Sequence, residues 1–220
     1  MSIFIEEMLA SFPTRNQPPE EIVKFFHWID KQGLHHNFGS DDYKYADIDP
    51  DAADGMIGIT PVNIQMAKLT TRSEDPIIYE RFAEFCSTGG DGSRAALWLD
   101  DDGQQHIVHM GSGSGSTLIG IMVSNPIDFL RTLAIGYSEL CWPSDFGKTP
   151  EEVFNDNYPD AADEPDEYVW PKPLAALQKW VATEFGVSIP KRADQILLPM
   201  ADMDDVPTDP FHKWIMSLPE

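Results

Sequence analysis

The 220-residue sequence contains few cysteines, few basic residues and no long hydrophobic run. Cys86 and Cys141 are its only cysteines, too few for a disulfide-rich scaffold or a four-thiolate metal site. We therefore expect both to be reduced core residues in a reducing compartment, and the protein to be cytoplasmic. No window approaches the ~20 uncharged apolar residues of a transmembrane helix, and Glu6 and Glu7 interrupt the apolar N-terminus. Neither a membrane span nor a signal peptide is therefore expected.

Basic residues are outnumbered, since 15 Lys and Arg stand against 37 Asp and Glu and give a formal net charge of −22. A nucleic-acid partner is not expected, because phosphate binding needs clustered Lys and Arg. The same charge favours a basic protein partner. The alternative interpretation is that the charge only keeps an ordinary acidic protein in solution.

The clearest structural pattern lies between Ala95 and Tyr137. Three β-rich runs alternate with an Asp-Gly turn and a Gly-Ser turn: Ala95–Leu99, Asp100–Gly103, Gln104–Met110, Gly111–Ser116 and Thr117–Val123. A helix follows, because Asn125 is a good N-cap, Pro126 suits the first helical position and apolar residues recur on one stripe. This pattern predicts an α+β fold: a mainly antiparallel twisted sheet with helices packed on one face and at the edges.

The rest of the chain supplies further helices and short strands. Helices are predicted from apolar spacing or capping sequences at Ile3–Phe12, residues 18–33, residues 60–69 (capped by Thr60-Pro61), residues from Thr149 onward, Leu174–Phe185 and residues from Asp209 onward. Short strands are predicted at Tyr43–Tyr45, on the sheet edge, and at Gly55–Thr60. Ile77–Cys86 fits both a helix and a strand, and we favour a strand because it would pair with Ala95–Leu99. The sequence shows no linker, so residues 1–220 are predicted to form a single domain.

Two segments resemble ligand-binding loops but lack the residues that such loops need. Gly111–Ser116 resembles a phosphate-binding loop, yet no Lys follows it and the next element is a predicted strand, so we predict a hairpin connection. The acidic run Asp47–Asp51 begins like a calcium loop, but Ala52 replaces its turn glycine and Gly58 replaces its closing Glu. We therefore predict a solvated acidic loop, and we expect neither a cofactor nor a metal.

The residues that catalyse reactions in other proteins form no recognisable arrangement here. His106 and His109 are three residues apart, so a strand places them on opposite faces and they cannot share a metal. No Gly-x-Ser-x-Gly elbow occurs, and neither cysteine has a catalytic signature. We predict a non-enzymatic protein, and a hydrolase that uses the acidic loops is the weakest alternative.

Several core and turn segments resemble a known family. These segments are residues 92–100 (GSRAALWLD), 107–112 (IVHMGS), 128–137 (DFLRTLAIGY), 179–181 (KWV) and 185–190 (FGVSIP). They resemble the SUKH superfamily, the Smi/Knr-like relatives of the yeast cell-wall assembly regulator. The resemblance implies a non-enzymatic binding protein, since bacterial members resemble immunity proteins that neutralise a polymorphic toxin, often a nuclease, by direct contact.

The acidic composition agrees with this implication, because a negative surface can cover the basic face of a nuclease. We predict that the partner is a basic toxin domain and that it contacts exposed acidic and aromatic residues. The predicted contact residues are Asp41, Asp42, Tyr43 and Tyr45 in the polar, acidic stretch His35–Gly55, Asp100, Asp101 and Asp102 on the hairpin turn, and Trp170 in the acidic, proline-rich loop Asn155–Pro173. The alternative function is a regulatory or scaffold module without a toxin, as the eukaryotic relatives imply.

Overall fold

An antiparallel sheet runs through the computed structural model, which describes residues 2–38, 43–48, 56–161, 163 and 174–219. Its strands are β1 (His35–Phe38), β2 (Tyr43–Asp47), β3 (Gly58–Ile59), β4 (Phe82–Ser87), β5 (Arg94–Leu99), β6 (Gln105–Met110), β7 (Leu118–Ile121) and β8 (Ala201–Asp202). Each strand pairs with the next one along the chain, so the strand order in space is the sequence order. The predicted central meander is confirmed as β5, β6 and β7.

Several helices of the described residues begin at the side chain of a capping residue. They are α1 (Ile3–Ser11), α2 (Glu20–Gln32), α3 (Ile64–Thr71), α4 (Ile77–Arg81), α5 (Pro126–Ile135), α6 (Pro150–Asn157), α7 (Ala175–Phe185) and α8 (Pro210–Ser217). Asn125 caps α5 by accepting the N–H of Asp128, and Thr149 forms the predicted capping box of α6. Asn63, rather than the predicted Thr60, caps α3. None of the described helices is long and apolar enough to cross a lipid bilayer.

Helices cover both faces of the sheet. On β5, Ala95 and Leu97 join a large core with α1, α2, α5 and α7, whereas Ala96 and Trp98 join a smaller core with α3, α4 and α8. Each of these four side chains is at most 2% exposed. The predicted α+β class is confirmed. The helices reach the second face as well, because β5 is apolar on both of its sides and each side has to be buried.

Residues 77–86, predicted as a strand, form a helix followed by a strand. The helix α4 begins where the Asp75 carboxylate accepts the N–H of Ile77 (3.0 Å). The strand β4 begins at Phe82, which pairs with Trp98 of β5 as the prediction required. The helical pattern therefore applies to the first half of the segment, and the favoured strand prediction is correct only for the second half.

The polar, acidic stretch His35–Gly55 begins with a strand that the sequence pattern missed. The strand β1 occupies the start of this segment and pairs with β2, so β2 is internal and not the predicted edge strand. The His35 ring stacks on Phe4 with the ring centroids 4.5 Å apart, and its Nε2 lies 3.1 Å from an Asp30 carboxylate oxygen. Because these stabilising partners come from α1 and α2, the local polarity of the segment did not indicate a strand.

Candidate functional site

The structure describes only some of the predicted contact residues. Asp41, Asp42 and Trp170 lie outside the described residues, and of Tyr43 only the backbone is described. Tyr43 begins β2, and Asp100–Asp102 follow the end of β5. Because neighbouring strands alternate in direction from β2 to β5, the start of β2 and the end of β5 lie at the same end of the strands.

The hairpin turn Asp100–Gly103, here called the acidic turn, is held by its first residue. The Asp100 carboxylate accepts hydrogen bonds from the N–H groups of Asp102 (3.0 Å) and Gln104 (2.7 Å), and it lies 3.0 Å from His106 Nε2. The hydrogen bond from His106 is the main cause that lowers the pKa of Asp100 below its ordinary value. Asp100 is therefore engaged within the turn, whereas Asp101 and Asp102 are exposed to solvent.

Arg81, which the sequence analysis did not single out, forms an ion pair with Asp101. Its Nη1 lies 2.9 Å from Asp101 Oδ1, and its Nε donates a hydrogen bond to the Leu99 carbonyl (2.7 Å). The guanidinium also lies over the rings of Trp98 (5.7 Å) and Trp214 (5.3 Å). Since 92% of the Asp101 side chain but only 16% of the Arg81 side chain is exposed, the acid is the group that a partner can reach.

Tyr45 lies on β2 and packs across the neighbouring strand β3. Its ring lies against Gly58 so closely that a Cβ at Gly58 would be 2.0 Å from the Tyr45 Cζ. The ring of His36 lies 5.7 Å away on β1. The Tyr45 side chain is half-buried, and this burial raises the pKa of its hydroxyl group. Tyr45 thus presents only part of its surface to a partner.

At the opposite end of the strands, Asp91 is the centre of a hydrogen-bond network. Its carboxylate accepts the N–H and the hydroxyl of Ser93 (2.9 Å each), the hydroxyl of Ser112 (2.9 Å) and the N–H of Ser116 (2.7 Å). Burial alone would raise the pKa of Asp91, but these hydrogen bonds lower it below its ordinary value. The network joins the β4–β5 turn to Gly111–Ser116, which is confirmed as the hairpin connection between β6 and β7.

A buried hydroxyl–imidazole pair, Thr88 and His109, lies near the same end of the strands. His109 Nε2 is 3.0 Å from the Thr88 hydroxyl, and its Nδ1 is 3.0 Å from the Leu118 carbonyl oxygen. Burial lowers the pKa of His109 to about 4, so the neutral ring donates from Nδ1 and accepts from Thr88. A nucleophile and its base have the same arrangement, but both side chains are 0% exposed and no substrate reaches them. As predicted, His106 lies on the other face, against Trp98.

Both cysteines are free and buried, as predicted. Burial raises the pKa of Cys86 to about 12 and raises the pKa of Cys141 as well. Neither thiol is therefore a reactive thiolate at neutral pH. Within the described part of the chain, no group of three or more His, Cys, Asp or Glu side chains is placed to hold a metal ion. Most of the calcium-like run Asp47–Asp51 lies outside that part.

Comparisons with known proteins gave no match. No protein-family model, curated protein or solved structure matches this chain. Its function is therefore inferred from the geometry and charge of the acidic turn.

Proposed function

We propose that this chain is a non-enzymatic protein that binds a basic surface of another protein through the acidic turn. The observation that carries the proposal is the fixed geometry of the turn. Asp100 forms hydrogen bonds within it and Arg81 holds Asp101, so Asp101 and Asp102 are presented in a defined position. A contact that is already ordered loses less conformational entropy on binding than a mobile one. The net charge of −22 favours the approach of a basic partner.

We propose further that the partner is a toxin domain and that the chain acts as an immunity-type protein in the cytoplasm. The support is the resemblance of residues 92–100, 107–112 and 128–137 to the SUKH superfamily, whose bacterial members resemble immunity proteins. These residues form β5, most of β6 and most of α5. In this proposal a toxin such as a nuclease binds through the basic face with which it would otherwise hold phosphate groups.

Coexpression in bacteria tests this proposal. Cells that make a toxin domain encoded beside this gene are expected to survive when the chain is also made. Replacing Asp101 and Asp102 together by Lys is expected to weaken toxin binding about tenfold or more, because like charges then face each other. Glu6 and Glu7, an adjacent exposed pair on α1, provide the matched control, and their replacement by Lys is expected to preserve protection.

Two results would decide against the proposal. Unchanged toxicity with every neighbouring toxin candidate would contradict the immunity function. Equal protection by the Asp101/Asp102 variant and the Glu6/Glu7 variant would show that the acidic turn is not the contact. A genomic position far from any toxin gene would favour a regulatory or scaffold module instead.

The rate of association with such a toxin is expected to depend on salt. Raising the salt concentration from about 50 mM to about 500 mM is expected to slow association about tenfold or more, because the shorter Debye length screens electrostatic steering. Stopped-flow fluorescence of the chain's tryptophans measures this rate. A rate that stays constant across this range would remove steering from the proposal.

A further inference from the structure

A small cavity lies beside α4, the helix that also carries Arg81. It has a volume of about 90 Å³ and is bounded by the end of α1 and the residues after it, the residue Val62 before α3, and by α3, α4 and the start of β4. Val62, Ile64, Ala67 and Phe82 provide apolar walls, and Tyr79 also lines it. This volume corresponds to roughly three water molecules, or to one small aliphatic side chain.

The cavity is partly open to the surface. Ile64, one of its lining residues, is 48% exposed. The hydroxyl oxygen of Tyr79 is buried and has no hydrogen-bond partner among the described residues. An apolar cavity with one half-exposed isoleucine and one unsatisfied polar atom is a candidate contact surface.

Carboxylates outnumber cations around this cavity. Arg15, Lys68 and Arg81 form the ion pairs Arg15–Glu80, Lys68–Glu74 and Arg81–Asp101, and Arg72 at the end of α3 is a further cation. Asp75 and Asp102 add negative charge beyond these pairs. Tyr79 lines the cavity and Arg81 holds the acidic turn, and both belong to α4, so the cavity and the turn flank one short helix.

We infer that this cavity receives one apolar side chain from a basic segment of the partner, whose Lys or Arg side chains contact the acidic turn. The inference rests on the proposed function and adds an apolar anchor to its acidic contact. A buried anchor enclosed by a polar rim is the arrangement that concentrates binding energy in protein interfaces. A second copy of the chain fits less well, because it would bring a second net charge of −22.

Two synthetic peptides test this inference on the intact chain. Both are blocked at their ends; one is Lys-Lys-Leu-Lys-Lys, and the other has Ser in place of Leu. Each is titrated into the isotope-labelled chain while backbone amide resonances are followed. The leucine peptide is expected to bind about tenfold more tightly, because only its side chain buries apolar surface. The largest resonance shifts are expected at Ile64, Ala67 and Tyr79.

Three variants link the preference for leucine to the cavity. Ala67→Leu fills the cavity from α3 and is expected to abolish the difference between the two peptides. Ala176→Leu makes the same change at an exposed position of α7 and is expected to preserve the difference. Ile64→Ser shortens a side chain that is 48% exposed and is expected to reduce the difference. This last variant decides the question if Ala67→Leu does not fold.

Several outcomes would overturn the inference. Equal affinities with shifts confined to the acidic turn would remove the apolar anchor and leave the proposed acidic contact in place. Shifts caused by the leucine peptide at another site, or no binding of either peptide, would also overturn it, while toxin protection still decides the proposed function separately. A dimer of the chain that Ala67→Leu abolishes would make a second copy the occupant.

Discussion

Replacing Glu84 by Gln is expected to stabilise the protein by about 2–3 kcal/mol near pH 8 and to change its stability little near pH 4.5. Glu84 lies on β4 beneath α3 and is 4% exposed. Its Oε1 accepts a hydrogen bond from the Thr70 hydroxyl (3.1 Å), whereas its Oε2 has no partner in the described part of the chain. Burial raises the pKa of Glu84 from 4.5 to about 7, against the opposing effects of Arg94 and Thr70.

The direction of this effect follows from proton binding. Between pH 4.5 and about 7 the Glu84 carboxyl binds more protons in the folded than in the unfolded state, so the folded state loses stability as pH rises through that range. The difference between pKa values of 4.5 and about 7 corresponds to about 3 kcal/mol. Glutamine does not ionise, and the variant therefore avoids this loss.

Urea unfolding of both proteins at the two pH values measures the effect. The same substitution at Glu80, whose side chain is 61% exposed, is the matched control and is expected to change the free energy of unfolding by less than about 0.5 kcal/mol. If Glu84→Gln changed the free energy of unfolding by the same amount at both pH values, ionisation of Glu84 would not contribute to stability. The proposed cause would then be wrong.

Replacing His109 by Leu is expected to lower the free energy of unfolding by about 2–4 kcal/mol. The change leaves the Thr88 hydroxyl and the Leu118 carbonyl without the ring that now bonds to both of them. Thr88→Val alone is expected to cost about 1–3 kcal/mol, because it leaves one imidazole nitrogen unsatisfied. The double variant is expected to cost less than the sum, since both members of one buried hydrogen bond are then apolar.

A double-mutant cycle measured by urea unfolding tests this pair. Costs that simply add would show that Thr88 and His109 do not interact as the structure indicates. Both residues lie near the end of the strands that is opposite the acidic turn. Under the proposed function, every variant that folds is therefore expected to protect cells from a toxin as well as the unchanged chain does. Loss of protection in a folded variant would give the pair a functional role that its burial argues against.

The central part of the fold could be predicted because its turns and caps carry their own local chemistry. The Asp-Gly pair at 102–103 closes the β5–β6 hairpin, and the Asn125 side chain caps α5. The strand β1 could not be predicted, because His35 is held by Phe4 and Asp30, which are remote in sequence. Segments stabilised by their own residues are visible in a sequence, whereas segments stabilised by distant partners are not.

The candidate site shows the same division. An exposed acidic hairpin at Asp100–Asp102 was predictable from its composition, but the different roles of its residues were not. Asp100 is engaged because the hairpin register brings His106 within reach, and Asp101 is held because α4 places Arg81 beside it. Neither relation has a signature in the local sequence. Asp41, Asp42 and Trp170 lie outside the described residues, so their predicted contacts stay predictions.

The strand order of the sheet also has a consequence for how quickly the protein forms. Each strand pairs with its neighbour along the chain, so most pairings close short loops. Short loops lose little chain entropy before pairing begins, and local pairing is associated with fast folding. A nascent chain can add the strands up to β7 to a sheet already begun while synthesis continues, and β8 joins once residues 201–202 have been made. Under the proposed immunity function, rapid folding would shorten the time during which a newly made toxin meets no folded binding partner.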